Sequence, residues 1–276
     1  MSRAEDNAVP GKKFTTWAIK PLAVAALIAG FAMPSPLRAE TPAPACDAPM
    51  DIVHLVHPLA RVAHEIAIGE PITVVAMGSS STAGAGASSA AASYPNQLLA
   101  ELQHRFAGHP VVMINRGVNG EEVGDMLKRF DAVISAKPDL VLWQLGTNSV
   151  LRDQKASSND SMIRDGLKRI RAIGADIVLI DPQFTPKVIA KSEAEHMVEL
   201  LALTAKQEDV DLFHRFELMK HWSVVDHIPF ETFSAPDGLH MNDWSYACMA
   251  KALGMAIAEA ARRPVLSATA GAHLVP

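Results

Sequence analysis

The sequence predicts a three-layer α/β/α protein, in which a parallel sheet of about five strands lies between two layers of helices. Short apolar segments alternate with segments of helical spacing from residue 72 to residue 261, and this alternation is typical of right-handed strand–helix–strand crossovers. The first apolar segment, 72–76, is largely β-branched, as expected for a strand that is buried on both faces. The first three strand segments end in glycine-containing turns, which would all lie at one edge of the sheet.

The predicted elements follow one another with short connections along the chain. Apolar residues recur at helical intervals over 51–68, so we expect a helix there that is interrupted at Pro58. Ser93 and Pro95 suit the start of the next helix, which Gly108 ends. Further strands are predicted over 111–118, 139–145, 177–180 and 210–213, and further helices over 121–136, 159–173, 192–207 and 243–261.

The first 39 residues have the layout of a secretory signal. Three lysines precede an apolar segment over 21–33, and a cleavage site is predicted after Ala39. Because this apolar segment is too short for a stable membrane span, we expect a periplasmic or secreted protein without stable membrane insertion once the signal is removed. The alternative is a retained N-terminal anchor. A flexible linker rich in proline and alanine is predicted over 40–50, followed by one domain over 51–276.

The charge of the predicted mature chain argues against a nucleic-acid partner. Residues 40–276 contain 20 basic and 28 acidic residues, which gives a formal charge of −8. Binding to a phosphate backbone requires clustered positive charge, and no basic stripe is visible in the sequence. The sequence leaves the oligomeric state open.

The chain contains two cysteines, Cys46 near the predicted mature N-terminus and Cys248 in the last predicted helix. In an exported protein such a pair can form a disulfide, which here would join the N-terminal arm to the domain. The alternative is one buried and one exposed free thiol. The sequence does not decide between these two states.

A serine-rich turn follows the first strand and supplies a candidate nucleophile, Ser80. We expect Ser79 to continue the strand and Ser81 to pack inward, so that Ser80 alone points into a crevice at the strand's carboxyl end. A serine becomes a good nucleophile when a base that is oriented by a carboxylate takes its proton. Asp237 and His240 lie three residues apart on a loop before the last helix, and they can supply this pair.

Gly120 and Asn148 follow the second and third predicted strands, so parallel topology brings both to the same sheet edge as Ser80. The backbone N–H groups of Ser80 and Gly120, together with the Asn148 amide, can stabilise negative charge on a carbonyl oxygen. Taken singly, Gly120 is typical of a turn and Asn148 of a turn or a helix cap. Their order in the chain, between the serine turn and the Asp-x-x-His pair, favours a catalytic site.

Four segments resemble the sequence blocks of the SGNH (GDSL) hydrolase superfamily, and they occur in the same order. These segments are Gly78-Ser79-Ser80-Ser81-Thr82-Ala83-Gly84, Asn119-Gly120, Gly146-Thr147-Asn148 and Asp237-Gly238-Leu239-His240. Ser80 falls on the nucleophilic serine of the first block. Ser79 departs from the pattern, since the superfamily usually has Asp there. That residue is not the nucleophile, so its loss affects hydrogen bonding within the loop rather than the chemistry.

The resemblance implies a flavodoxin-like strand order, 2-1-3-4-5, and an SGNH hydrolase domain. It also implies a serine esterase with a Ser80, His240 and Asp237 triad and an oxyanion hole formed by Ser80, Gly120 and Asn148. Such a site needs no metal or organic cofactor. The expected partner is a small-molecule or glycan ester, and an envelope location with only nine Phe and two Tyr favours removal of O-acetyl groups from a glycan.

Three alternatives remain at this stage. A lysophospholipase or thioesterase on the same fold would act on longer acyl chains. A flavodoxin-like protein would use the serine-rich loop to bind a flavin phosphate, but this leaves Asn148 and the Asp237–His240 pair unexplained. A non-catalytic binding module would show no turnover of any ester.

His54, His57 and His64 have spacings that occur in metal sites, but without a carboxylate-rich loop a solvated or packed face is favoured.

Overall fold

The computed structural model describes Thr15 and residues 44–264. Its strands are β1 (Ile72–Gly78), β2 (Val111–Gly117), β3 (Leu140–Gln144), β4 (Asp176–Ile180) and β5 (Asp211–Phe213). They form one sheet in the order β2-β1-β3-β4-β5, and each neighbouring pair is parallel. The predicted fold class and the 2-1-3-4-5 order are therefore confirmed.

Helices cover both faces of this sheet. They are α1 (Met50–Val53), α2 (Ala60–Ile68), α3 (Ser80–Ala83), α4 (Tyr94–Arg105), α5 (Val123–Lys128), α6 (Phe130–Ile134), α7 (Thr147–Leu151), α8 (Asp160–Arg171), α9 (Pro186–Ile189), α10 (Glu193–Glu208), α11 (Arg215–Val224), α12 (Phe230–Phe233) and α13 (Asp243–Ala260). Val74 and Ala76 belong to a core with α4, α11 and α13. Val75 and Met77 belong to a second core with α5, α8 and α10. Successive strand residues thus face opposite helix layers, as expected for a sheet buried on both faces.

The helix predicted over 51–68 is broken more widely than Pro58 alone requires. It forms α1 and α2, and residues 54–59 between them are not helical. The backbone N–H groups of Val56 and His57 donate instead to Oδ1 of Asp211 at the start of β5 (2.6 and 3.0 Å). A carboxylate from the edge strand therefore satisfies backbone donors that a continuous helix would have paired internally.

The helix predicted over 121–136 is divided into α5 and α6 at Arg129. The Arg129 guanidinium donates to the carboxylate of Glu121 and to the carbonyl oxygen of Gly78. The division thus occurs where a side chain reaches back to the end of β1, a long-range contact that helical spacing in the sequence does not reveal.

The predicted secretory signal, residues 1–39, lies outside the described residues apart from Thr15. The next described residues pack against the domain: Trp244 Nε1 donates to the Pro44 carbonyl (3.3 Å), and Trp222 Nε1 donates to the Asp47 carbonyl (2.8 Å). Residues 44–50, which the sequence predicts to be part of a linker, are therefore held against α11 and α13. Among the helices that the structure describes, none has the length and apolar character needed to cross a membrane.

Cys46 and Cys248 are joined by a disulfide in the structure, with Cα atoms 5.5 Å apart and a sequence separation of 202 residues. We expect thiol titration of the denatured, unreduced protein to find no free thiol. Reduction should lower the free energy of unfolding by roughly 3–5 kcal/mol, because it releases a long loop in the unfolded chain. Denaturant unfolding with and without reductant measures this difference. Two titratable thiols in the unreduced protein would contradict the bond.

Candidate active site

The serine turn lies at the carboxyl end of β1. The strand ends at Gly78 and α3 begins at Ser80, with Ser79 alone between them. Ser79 and Ser81 are buried, with 2% and 1% of their surface exposed, whereas Ser80 is partly exposed. Of the three adjacent serines, Ser80 is therefore the one whose hydroxyl a substrate can reach.

His240 lies between Ser80 and Asp237 in a chain of hydrogen bonds. Its Nε2 is 3.0 Å from Ser80 Oγ, and its Nδ1 is 2.5 Å from Asp237 Oδ2. The other carboxylate oxygen, Oδ1, accepts from the backbone N–H groups of Leu239 and His240, both at 2.9 Å. Asp237 thus holds the imidazole ring and the loop that carries it. A proton on Nδ1 leaves Nε2 free to accept the proton of Ser80.

The surroundings of Asp237 keep its carboxylate ionised. Partial burial raises its pKa, but the hydrogen bonds from the His240 backbone and ring and from the Leu239 backbone outweigh this effect and lower the pKa to about 2. A carboxylate that stays charged over the whole neutral range can orient the imidazole and stabilise the imidazolium that forms during proton transfer.

The loop that carries His240 is also held by hydrogen bonds from two buried side chains. The carbonyl oxygen of Leu239 accepts from Gln183 Nε2 (3.1 Å) and from Thr185 Oγ1 (3.0 Å). Gln183 Oε1 in turn accepts from Thr147 Oγ1 (2.9 Å). Gln183 and Thr185 are fully buried, so these bonds exchange little with water and restrict the position of the histidine loop.

Sequence reasoning missed Gln183 and Thr185, although the sequence holds a signal for them. Gln183 and Thr185 lie two residues apart in the segment that follows β4. This segment is at the carboxyl ends of the strands, where the polar turns after β1, β2 and β3 also lie. Ligand-binding residues of open parallel sheets lie at this edge. A polar segment following an apolar strand is thus a candidate for a supporting role.

Gly120 lies in the loop after β2, and Asn148 lies in α7, which follows β3. Gly120 has a φ of +78°, in the left-handed region that favours glycine. Asn148 Nδ2 donates to the carbonyl of Glu121 (2.8 Å), which fixes the orientation of the amide. A primary amide carries two N–H donors, and this bond uses one of them. The Arg152 guanidinium donates to the Gly120 carbonyl (2.9 Å).

The Gly120 loop is tied to the serine turn through one carbonyl group. The backbone N–H of Val118 donates to the Gly78 oxygen at 3.0 Å, and Arg129 Nη2 donates to the same oxygen at 3.3 Å. The end of β1 and the loop after β2 are therefore fixed relative to one another. The structure thus brings the sequence-predicted residues to one end of the sheet.

The resemblance implies that the Asn148 amide is an oxyanion donor, used mainly when charge develops on the carbonyl oxygen, so we expect Asn148→Ala to lower kcat for ester hydrolysis by about 10²–10³ with a small change in KM. Steady-state kinetics on p-nitrophenyl acetate measures both constants. Asn96→Ala, which removes an exposed amide on α4, is the matched control and should leave both unchanged. A rise in KM at constant kcat would instead assign Asn148 to ground-state binding.

The three histidines with metal-like spacing do not form one cluster. His54 and His57 lie in the non-helical segment between α1 and α2, and His64 lies in α2. Within residues 44–264, no group of three or more His, Cys, Asp or Glu side chains is placed to hold a metal ion.

The strand order and the position of the serine turn agree with what the resemblance to the SGNH/GDSL hydrolases implies. The model of the Non-GDSL lipase-like family matches residues 45–263. The chain therefore belongs to this family. No curated protein matches the sequence significantly.

Solved structures of esterases share this fold. A two-domain esterase active on acetylated mannans is 16% identical with a TM-score of 0.64, and the match covers 81% of this chain and 59% of that longer one. A variant of an acetyl-xylooligosaccharide esterase from Geobacillus Stearmophilus is 18% identical with a TM-score of 0.59, covering 69% and 95%. A lipase/acylhydrolase from Enterococcus faecalis is 21% identical with a TM-score of 0.56, covering 68% and 96%. At these identities the similarity shows the fold alone.

Proposed function

We propose that this protein hydrolyses short-chain carboxylic esters by nucleophilic attack of Ser80, with His240 as the base and Asp237 as its orienting carboxylate. The observation that carries the proposal is the continuous hydrogen-bond chain from Ser80 Oγ through both nitrogens of His240 to Asp237. A partly exposed serine at the carboxyl end of a central strand and a buried support behind the histidine loop are consistent with it.

The proposed reaction has two stages. In the first, Ser80 Oγ attacks the ester carbonyl while His240 Nε2 takes the hydroxyl proton, and the imidazolium then gives this proton to the leaving alcohol. The product is an acyl group on Ser80 and a free alcohol. In the second, a water molecule gives its proton to Nε2 and attacks the acyl carbon. The acid departs, and the proton returns to Ser80 Oγ.

Negative charge develops on the carbonyl oxygen in both stages. The proposed donors are the backbone N–H groups of Ser80 and Gly120 and the side-chain amide of Asn148. The bond from Asn148 to the Glu121 carbonyl and the bond from Arg152 to the Gly120 carbonyl hold these donors before substrate binds. Fixed donors need no reorganisation when the charge appears, which is why such sites lower the barrier.

A cavity beside His240 supports a polar alcohol as the leaving group. It has a volume of about 390 Å³, and one wall is Gly86, where a Cβ atom would lie 2.9 Å from the Cβ of His240. Its other lining residues include Phe230, Glu231, Ser234 and Asn242. An aromatic ring beside a carboxylate, as supplied by Phe230 and Glu231, suits a hydroxylated ring such as a sugar. Two of the solved structures described above are an esterase active on acetylated mannans and an acetyl-xylooligosaccharide esterase, which is consistent with O-acetyl removal.

An acyl-chain-length series of p-nitrophenyl esters, with acetylated xylan, alginate and peptidoglycan alongside, tests this proposal. We expect the highest kcat/KM on the acetyl ester and release of acetate from at least one glycan, with both lost in Ser80→Ala. A preference for long acyl chains would instead indicate a lysophospholipase or thioesterase. A yellow purified protein without ester turnover would support the flavin-binding alternative.

We also propose that the protein is exported and that residues 1–39 are removed, because lysines precede a short apolar segment and a cleavage site at Ala39. The disulfide between Cys46 and Cys248 is typical of an oxidising compartment. Mass spectrometry of the exported form should give an N-terminus at or near Glu40. A protein that keeps Met1 and stays in the membrane fraction would contradict signal removal.

A further inference from the structure

A buried amide side chain lies directly behind the serine turn. Gln144, the last residue of β3, is 1% exposed. Its Oε1 accepts from the backbone N–H of Ser79 (2.9 Å), from Ser79 Oγ (3.0 Å) and from Thr82 Oγ1 (3.4 Å). Because a backbone N–H can only donate, the atom that faces it must be the amide oxygen rather than the nitrogen. One oxygen atom thus receives three donors from the turn that presents Ser80.

Gln144 supplies a hydrogen-bond acceptor just past the end of the β1–β3 pairing. The pairing of β1 with β3 ends at Met77 and Trp143, so the N–H of Ser79 has no strand partner on that side. This N–H is buried, and a buried backbone donor needs an acceptor. The side chain of Gln144, one residue beyond the end of the ladder, supplies it.

The chain of hydrogen bonds continues from Thr82 to Tyr94. Thr82 Oγ1 is 3.2 Å from the Tyr94 hydroxyl, and both residues are fully buried. Burial raises the pKa of Tyr94 to about 12, so its hydroxyl keeps a proton that it can donate to Thr82. Thr82 then donates to Gln144, so both hydrogen bonds of this series point towards Gln144 Oε1.

The packing around Gly78 leaves no room for the turn to adjust. A Cβ atom at position 78 would lie 2.2 Å from Thr82 Oγ1 and 2.9 Å from Gln144 Oε1. From the other side, Asn115 Nδ2 of β2 donates to the Thr82 carbonyl (2.8 Å). The turn is therefore fixed by one amide from each neighbouring strand, of which the Gln144 amide is buried and Asn115 is exposed.

We propose that Gln144 is a positioning residue for the nucleophile. Its oxygen holds Ser79 and the first turn of α3, so that Ser80 Oγ stays within reach of His240 and the Ser80 N–H stays directed at the carbonyl oxygen. The inference rests on the proposed function, since it requires Ser80 to be the nucleophile. Gln144 acts through the turn and touches neither the substrate nor the reacting atoms.

Gln144→Met keeps the length of the side chain and removes the acceptor, whereas Gln144→Glu keeps an oxygen acceptor in either protonation state. We expect Gln144→Met to lower kcat and the rate of Ser80 labelling by a fluorophosphonate by about 10–10²-fold, with KM within about twofold, because small displacements of a nucleophile have effects of this size. Gln144→Glu should stay within about fivefold of the unsubstituted protein.

Leu142→Ala is the matched control. Leu142 lies two residues before Gln144 on the same face of the strand and is fully buried in the core with α4, α11 and α13, so its truncation should lower the melting temperature while the labelling rate is retained. An equal loss of labelling rate in Leu142→Ala and Gln144→Met would overturn the proposal, because it would show a general stability effect. A folded Gln144→Met with unchanged kcat would overturn it as well.

Gln144→Asn gives a second test should Gln144→Met not fold. It keeps the amide but withdraws the oxygen by one methylene, and we expect kcat to fall about tenfold. Unchanged kcat in this variant would contradict positioning by the oxygen. If the unsubstituted protein neither turns over esters nor reacts with a fluorophosphonate, the proposed function fails. If it does both and the Gln144 variants match it, only the positioning role fails.

Discussion

Ser80→Ala, His240→Ala and the double variant should each lose at least about 10⁴ in kcat on p-nitrophenyl acetate, and the three losses should lie within roughly tenfold of one another. Ser80 Oγ and His240 Nε2 are 3.0 Å apart, and neither group performs the proton transfer without the other. Removal of one therefore disables the whole unit, so the second substitution has little left to remove. Multiplied losses in the double variant would show that the two side chains act independently.

The neighbouring serines provide the controls for this experiment. Ser81 is buried and directed away from solvent, so Ser81→Ala should keep most activity and an unchanged melting temperature. Ser79→Ala should behave in the same way, because the backbone N–H of Ser79 still donates to Gln144. Peptide mapping after reaction with a fluorophosphonate should place the adduct on Ser80. An adduct on Ser79 or Ser81 would contradict the assignment of the nucleophile.

The parts of the site that the sequence predicts have local signals. Ser80 and Asn148 each follow an apolar strand and a glycine, and Asp237 and His240 lie close together in the chain. Parallel topology then brings the strand ends to one edge without further information. This explains why Ser80, Gly120 and Asn148 could be expected at one end of the sheet, whereas the 2-1-3-4-5 strand order was implied by the resemblance alone.

The supporting residues have no such local signal. Gln144 looks like an ordinary end of a strand, and its role depends on where the β1–β3 ladder stops. Helix α11 was missed for a related reason. Arg215 at its start is fully buried, with its guanidinium donating to the Asp181 carbonyl, so a charged residue occupies a position where a helical pattern would show an apolar one. Such contacts depend on tertiary packing, which a single sequence does not specify.

Asp237→Asn is expected to lower kcat by about 10⁴, an effect comparable to the loss of the orienting carboxylate in other serine hydrolases. The carboxylate accepts from His240 Nδ1 at 2.5 Å and from two backbone N–H groups. An amide that keeps the backbone bonds turns its own N–H donors towards Nδ1. Nδ1 must then accept, the ring proton moves to Nε2, and Nε2 can no longer take the proton of Ser80.

Kinetics on p-nitrophenyl acetate together with melting curves measure this effect, and Asp243→Asn serves as the control because Asp243 bonds Ser88 outside the Ser80–His240–Asp237 chain. The folded-state pKa of Asp237, about 2, lies below the ordinary aspartate value of 3.8. Its contribution to stability is therefore present above about pH 4 and is lost as the pH falls towards 2. Any change in kcat between about pH 5 and 8 must consequently come from another group, since Asp237 stays ionised there. If Asp237→Asn kept kcat within tenfold, the imidazole would have to be oriented by the backbone of its loop, which Gln183 and Thr185 hold through Leu239, rather than by the carboxylate.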